Sequence, residues 1–162
     1  MDAKTIRKRI KDELGLNCRK VSVRGRPCTY SWAIDVVIKV PTAKSPIEAI
    51  AKGAESIDRC EYSGEILSGG NTYVSVDYAE GVLDGFFDEA AIAALEENPG
   101  KTLELPGGFE VFYLDHYFHV KRGNTISYDH PERAYGARGA GRLYAERLLE
   151  DQAAAAKLKE AS

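Results

Sequence analysis

The chain has 162 residues, 44% of them hydrophobic and 29% charged, which is enough to bury the core of one domain without disulfide or metal staples. No apolar run is long enough to cross a membrane, no apolar signal-peptide core follows Met1, and three cysteines (Cys18, Cys28, Cys60) in no metal-ligand spacing read as reduced thiols. Net charge is only -3 but unevenly spread: residues 1–26 carry nine basic side chains against three acidic, and residues 48–97 carry twelve acidic against two basic.

In chain order, Ile6, Ile10 and Leu14 recur every four residues and predict an amphipathic helix over 5–14, stopped by Gly15. Residues 19–24 alternate as a strand, broken by Gly25-Arg-Pro27. Residues 34–40 are dense in β-branched side chains, which fits a central strand ended by Pro41. Ser45, Pro46 and Glu48 form a capping-box pattern opening a helix that carries Ile47, Ile50, Ala54 and Ile57. Ser68-Gly-Gly-Asn71 lacks the lysine of a phosphate loop and leads into the alternating residues 72–78, so it reads as the turn of a hairpin between 65–67 and 72–78.

Phe87, Ala91 and Leu95 predict a helix over 84–97, stopped by Asn98-Pro-Gly100. An aromatic β-meander follows: 101–105, a Pro-Gly-Gly turn, 109–114, a tight Asp115-His116 connection, and 117–121. After the glycine-rich, basic residues 136–142 a last helix runs over about 140–158, its alanine-rich end projecting or fraying and offering a route to dimerisation. Hairpins without a regular βαβ repeat predict an α+β fold, a mostly antiparallel sheet with three to four helices and a long C-terminal helix. The expected organisation is a globular domain over 1–135 and a partly extending helix over 136–162.

The basic first helix, Lys20-Val-Ser-Val-Arg24, Ile34-Asp-Val-Val-Ile38, a following helix and Ser63-Gly-Glu-Ile-Leu-Ser-Gly-Gly-Asn-Thr-Tyr-Val-Ser-Val76 together resemble a large polyvalent-protein-associated domain of phages and mobile elements, over residues 5–78. A tryptophan-containing strand running into a Gly-Pro turn is typical of such modules, whereas Val40-Pro41-Thr42 stands there here. The resemblance implies action inside a bacterial host, in its cytoplasm, where counter-defence roles are common. It carries over no catalytic residue.

The residues themselves offer three classes of function. The acidic residues Glu61, Glu65, Asp77, Glu80, Asp84 and Asp88 form a candidate surface that imitates a nucleic-acid backbone and binds a bacterial defence protein or complex, with CRISPR effectors as the expected target. Arg7, Lys8, Lys11, Arg24 and Arg26 form the alternative, a nucleic-acid-binding face that neutralises phosphates. A small enzyme would use His116, His119 or His130 as a general base near Asp115 or Asp129, but His116 and His119 fall on opposite faces of a strand, and a histidine at a hairpin end is ordinarily a surface residue. No hydrolase or metalloprotease signature is present, and the expectation is a binding protein with no cofactor, no metal and no catalytic residue.

Overall fold

In the computed structural model, which describes residues 1–67, 69–122 and 131–162, the chain divides into two compact units, Met1–Val82 and Leu83–Ser162. The fold is α+β, with four helices and two sheets of three and four strands.

The first unit runs α1 (Ala3–Leu14), β1 (Val21–Cys28), β2 (Ser31–Ile38), α2 (Ser45–Lys52) and β3 (Asn71–Tyr78). Asp2 caps α1 by accepting from the Thr5 amide at 2.8 Å. Ile6 and Ile10 are buried, and Gly15 at φ 68° closes the helix with its N–H on the Lys11 carbonyl. Both helices pack on one face of the sheet, whose core is built from Val21, Val23, Ile34, Val36, Ile38, Val74 and Val76 beneath Ile47 and Ile50.

Three expectations change here. First, β1 does not break at Gly25-Arg-Pro27 but pairs with β2 in antiparallel register through Cys28↔Ser31. Arg7 reaches the Val23 carbonyl, so the odd-numbered residues of β1 turn their backbone groups to the open edge, and there Pro27 costs no ladder bond. Gly25 is required by the Trp32 indole, which would lie 2.9 Å from an added Cβ. Second, the cap of α2 is Lys44, with Ser45 and Pro46 already in the first turn, so the capping-box geometry does not form.

Third, the predicted hairpin around Gly69-Gly70 does not form. β2 is central, as expected, but β3 lies beside it in parallel, Ser31↔Asn71 through Ile38↔Tyr78, with α2 in the crossover. Residues 58–67 fold back on themselves instead, through an Arg59↔Ile66 bridge and a bond from the Cys60 amide to the Glu65 carbonyl. Asn71 is a staple rather than a turn residue. Only 2% exposed, it accepts from the Asp58 amide at 2.8 Å and donates to the Leu67 carbonyl at 2.7 Å. Asn71→Ala strands both backbone groups and is expected to cost about 2 kcal/mol in chemical denaturation, with the largest rise in amide exchange over 58–67.

The second unit opens with a 3₁₀ turn (Asp84–Phe86), then α3 (Glu89–Ala93) and a second 3₁₀ turn (Ala94–Glu97). It continues with β4 (Thr102–Leu105), β5 (Phe109–Leu114), β6 (Tyr117–Arg122), β7 (Glu132–Ala134) and α4 (Ala137–Glu160). The single helix expected over 84–97 is therefore three short pieces, because Asp88 stops the incoming chain in an extended conformation and caps α3 through the Ala90 and Ala91 amides. Asp88→Ala is expected to lower stability by about 1 kcal/mol, read from the denaturation midpoint. The four strands are antiparallel in the order β4-β5-β6-β7. Asp115 and His116 make the tight β5–β6 turn at φ 50° and 69°. The core joins Ile92, Leu95, Phe109, Val111, Phe118 and Val120 to Ala140 and Tyr144 of α4. That helix starts three residues earlier than expected and is largely exposed beyond Ala153.

Candidate binding surfaces

On α1 the buried stripe of Ile6 and Ile10 fixes where every other side chain points. At 100° per residue, Arg7, Lys11, Lys4 and Lys8 follow one another over roughly 100° of arc beside that stripe. Arg9 lies apart from them and is taken up by Glu13 at 2.6 Å. The Arg7 guanidinium donates to the Val23 carbonyl at 2.6 Å, tying this basic flank to the edge of β1. The flank, together with Asp12, Asn17 and Cys18, lines an open groove of about 510 Å³. Arg19 and Lys20 in the α1–β1 connection are exposed, as is Arg24, which lies opposite Asp35 on the sheet face turned away from the helices.

Of the five basic candidates, Lys8, Lys11 and Arg24 are exposed and in no ion pair with a described residue, and Arg7 is tied to the Val23 carbonyl at the end of the α1 arc nearest the buried stripe. Arg26 stands apart. Its Nε donates to Asp35 at 2.7 Å, and Asp35 also accepts from Ser75 at 2.9 Å, linking all three strands on the face opposite the helices. Arg26 above all, and then Ser75, hold the Asp35 carboxyl below its ordinary range. Because its pKa is lower folded than unfolded, the link contributes above the ordinary aspartate range and is lost as pH falls through the folded value. Solvent screens the exposed pair, so Asp35→Asn should only slightly flatten the acid limb of the stability profile.

The six acidic candidates are divided between the two units, and the four in the first unit do not gather into one patch. Asp84 and Asp88 belong to the second unit, where Asp84 faces Arg138 at 3.6 Å and Asp88 caps α3. In the first unit Glu61 and Glu65 sit in the 58–67 fold, held to the start of β3 by Asn71, whereas Asp77 and Glu80 lie at its far end. Thr72 and Asp77 are separated by roughly 16 Å of extended strand. All four are exposed and in no ion pair with a described residue. The sheet order β1-β2-β3 thus gives the unit a basic edge at β1 and an acidic edge at β3.

At Thr72 and Val74 the backbone edge of β3 is occupied. Thr72 exchanges both bonds with Ser56, the Val74 amide donates to Glu55 at 3.1 Å, and Lys52 donates to the Val74 carbonyl at 2.7 Å. Lys52 first, then the Val74 amide, hold the Glu55 carboxyl below its ordinary range. A partner strand therefore finds no free backbone group at Thr72 or Val74.

The histidines are placed differently from a surface pair. His116 is exposed in the β5–β6 turn, but His119 is 6% exposed, stacked on Phe112 at 4.9 Å and 3°, with Nε2 on the Leu114 carbonyl at 3.1 Å and Nδ1 buried without a partner. Burial replaces the surface role because His119 lies opposite Phe112 in register, and the two rings cover each other. His130 lies, with Asp129, outside the described residues. Sequence reading also passed over Arg133 and Tyr135. Arg133 lies over the Tyr117 ring at 5.5 Å, and Tyr135, 84% exposed, packs against Tyr117 at 4.9 Å. The Tyr117 hydroxyl holds the Tyr135 phenol above its ordinary range. No family model matches this sequence, and no curated protein or solved structure matches it either.

Proposed function

We propose that the chain is a counter-defence protein of a phage or mobile element that inhibits a bacterial defence complex, of the CRISPR type, by binding it in the host cytoplasm and without catalysis of its own. The observation that carries this reading is the charge division of the first unit, basic along β1 and α1, acidic along β3, with the carboxylates Glu61, Glu65, Asp77 and Glu80 in no ion pair with a described residue. A defence ribonucleoprotein offers basic protein channels and phosphates side by side, and both edges have a complementary surface there. The resemblance of residues 5–78 to mobile-element modules supplies the setting.

The experiment is a tagged pull-down from a bacterium with intact defence systems, with and without nuclease, followed by an interference assay. Changing Glu61, Glu65, Asp77 and Glu80 to lysine is expected to abolish capture of a nuclease-resistant defence subunit and to restore interference, while thermal stability holds. Inhibition retained by that variant would sink the acidic-edge reading. Asp84 and Asp88 are left untouched, since both have structural partners in the second unit.

The contiguity of the basic flank favours a second reading, a nucleic-acid-binding accessory module. Lys8, Lys11 and Arg24 changed together to alanine should weaken binding to any sequence and lower the slope of log affinity against log salt by about 3. An unchanged slope would remove the flank from the interface.

A further inference from the structure

The face of the second sheet turned away from α3 and α4 is made of side chains that a core does not use. In register, Phe112 and His119 lie opposite each other, Leu114 opposite Tyr117, and Arg133 opposite His119. Their partners one position along, Val111, Phe118 and Val120, are the buried ones. The polar-face rings form two clusters, one tilted at 53° and one stacked at 3°. Arg133, Tyr117 and Tyr135 make one, with the guanidinium over one ring and the second ring 84% exposed. Lys121, Phe112 and His119 make the other, with the ammonium 5.8 Å from the Phe112 centroid. Leu114 is 53% exposed beside them. Beneath this surface lies the buried Nδ1 of His119. Its Nε2 meets the Leu114 carbonyl at 3.1 Å, and Nδ1 has no hydrogen-bond partner among the described residues, so this ring supports Phe112 from below and is not itself a ligand contact.

We propose that this face binds the unpaired bases of a single-stranded nucleic acid, with Tyr135 and Tyr117 as the stacking rings and Arg133 as the phosphate contact. The proposal rests on the nucleic-acid reading above and gives it a strand preference. Flat rings with cations laid over them complement flat bases strung on phosphates, and every base has a face to stack, so the site is sequence-tolerant. Arg133 is exposed and in no ion pair with a described residue, so its charge is available to a phosphate, whereas Lys121 is shared with Glu110 at 3.2 Å. A paired duplex buries its base faces and gains nothing from this surface.

The test is fluorescence anisotropy of the full chain with a short labelled oligouridylate and with a labelled duplex of the same length. Tyr135→Ala is expected to weaken single-strand binding about tenfold, leave the salt slope unchanged, and leave duplex binding unchanged. Tyr135→Phe should retain affinity, because the ring and not the hydroxyl stacks. Arg133→Ala should lower the slope by about 1. Single-strand affinity unaffected by Tyr135→Ala, while the Lys8, Lys11 and Arg24 change abolishes it, would overturn this inference and leave the nucleic-acid reading standing. No binding of either probe by the unaltered chain would overturn both. Tyr135 is exposed enough that its loss does not threaten folding.

Discussion

Gly141→Ala is expected to destabilise the second unit by about 2 kcal/mol, and the same change is expected to stabilise it once Phe87 has been cut to alanine. Alanine normally improves a helix by about 1 kcal/mol over glycine, and Gly141 lies in the second turn of α4. Here, however, the Phe87 ring rests on the helix backbone: an added Cβ would sit 2.1 Å from Cδ2, 2.4 Å from Cε2 and 2.5 Å from Cγ. Three ring atoms that close mean the whole ring must leave, and Phe87 packs against the core of the unit. Overpacking of this kind costs ~1–3 kcal/mol beyond the propensity gain it cancels. In an 80-residue unit the loss corresponds to a fall of roughly 10 °C in Tm. The double-mutant cycle is the decisive measurement, since the sign of the alanine effect should reverse between the two backgrounds. Destabilisation of equal size in both would show that Phe87 is not what requires the glycine.

How much of this was legible beforehand divides along physical lines. α1 was readable because its stripe and its glycine stop are local, although the Asp2 cap that starts it at Ala3, two residues before the expected boundary, was not read. The Asp115-His116 turn was readable because two residues between alternating runs leave few geometries. The pairing of β3 was not readable. Gly69 and Gly70 do take positive φ, 96° and 73°, as turn chemistry requires, but positive φ says only that the chain bends and not which strand it joins. The parallel seat beside β2 is decided by the packing of Ile34, Val36, Val74 and Val76 under α2, a contact between residues forty apart in sequence.

The same distinction runs through the candidate surfaces. The basic flank of α1 followed from helical spacing and is contiguous in the fold. The acidic residues looked like one patch only because they are close in sequence, and the fold puts them at two ends of β3 and in a second unit. The aromatic run of the β-meander could be noticed but not sorted. Register alone sends Phe109 and Phe118 into the core and Phe112 and Tyr117 to the other face. β7, three residues long, has no periodicity to find, and with it Arg133 and Tyr135 stayed hidden.

Tyr144→Ala is expected to be the most damaging single side-chain deletion in the second unit, at ~3–5 kcal/mol. Tyr144 is 1% exposed and meets the Phe109 ring edge-on at 5.3 Å and 79°, so its removal takes out both buried area and an aromatic pair worth ~0.5–1.5 kcal/mol. Its hydroxyl also donates to the Pro106 carbonyl at 2.9 Å, fastening α4 to the β4–β5 turn. Gly107 in that turn, at φ 88°, lies close to α4, where an added Cβ would be 2.6 Å from the end of the Leu148 side chain. Tyr144→Phe keeps the ring and strands only the carbonyl, so it should cost about 1 kcal/mol. The ratio of the two losses, measured by chemical denaturation, separates the roles: a phenylalanine variant as unstable as the alanine one would make the hydrogen bond, not the ring, the main attachment of α4. A unit of this size carries only about 4–12 kcal/mol in total, so the alanine variant should populate an unfolded second unit near physiological temperature, visible as rapid amide exchange across residues 83–162.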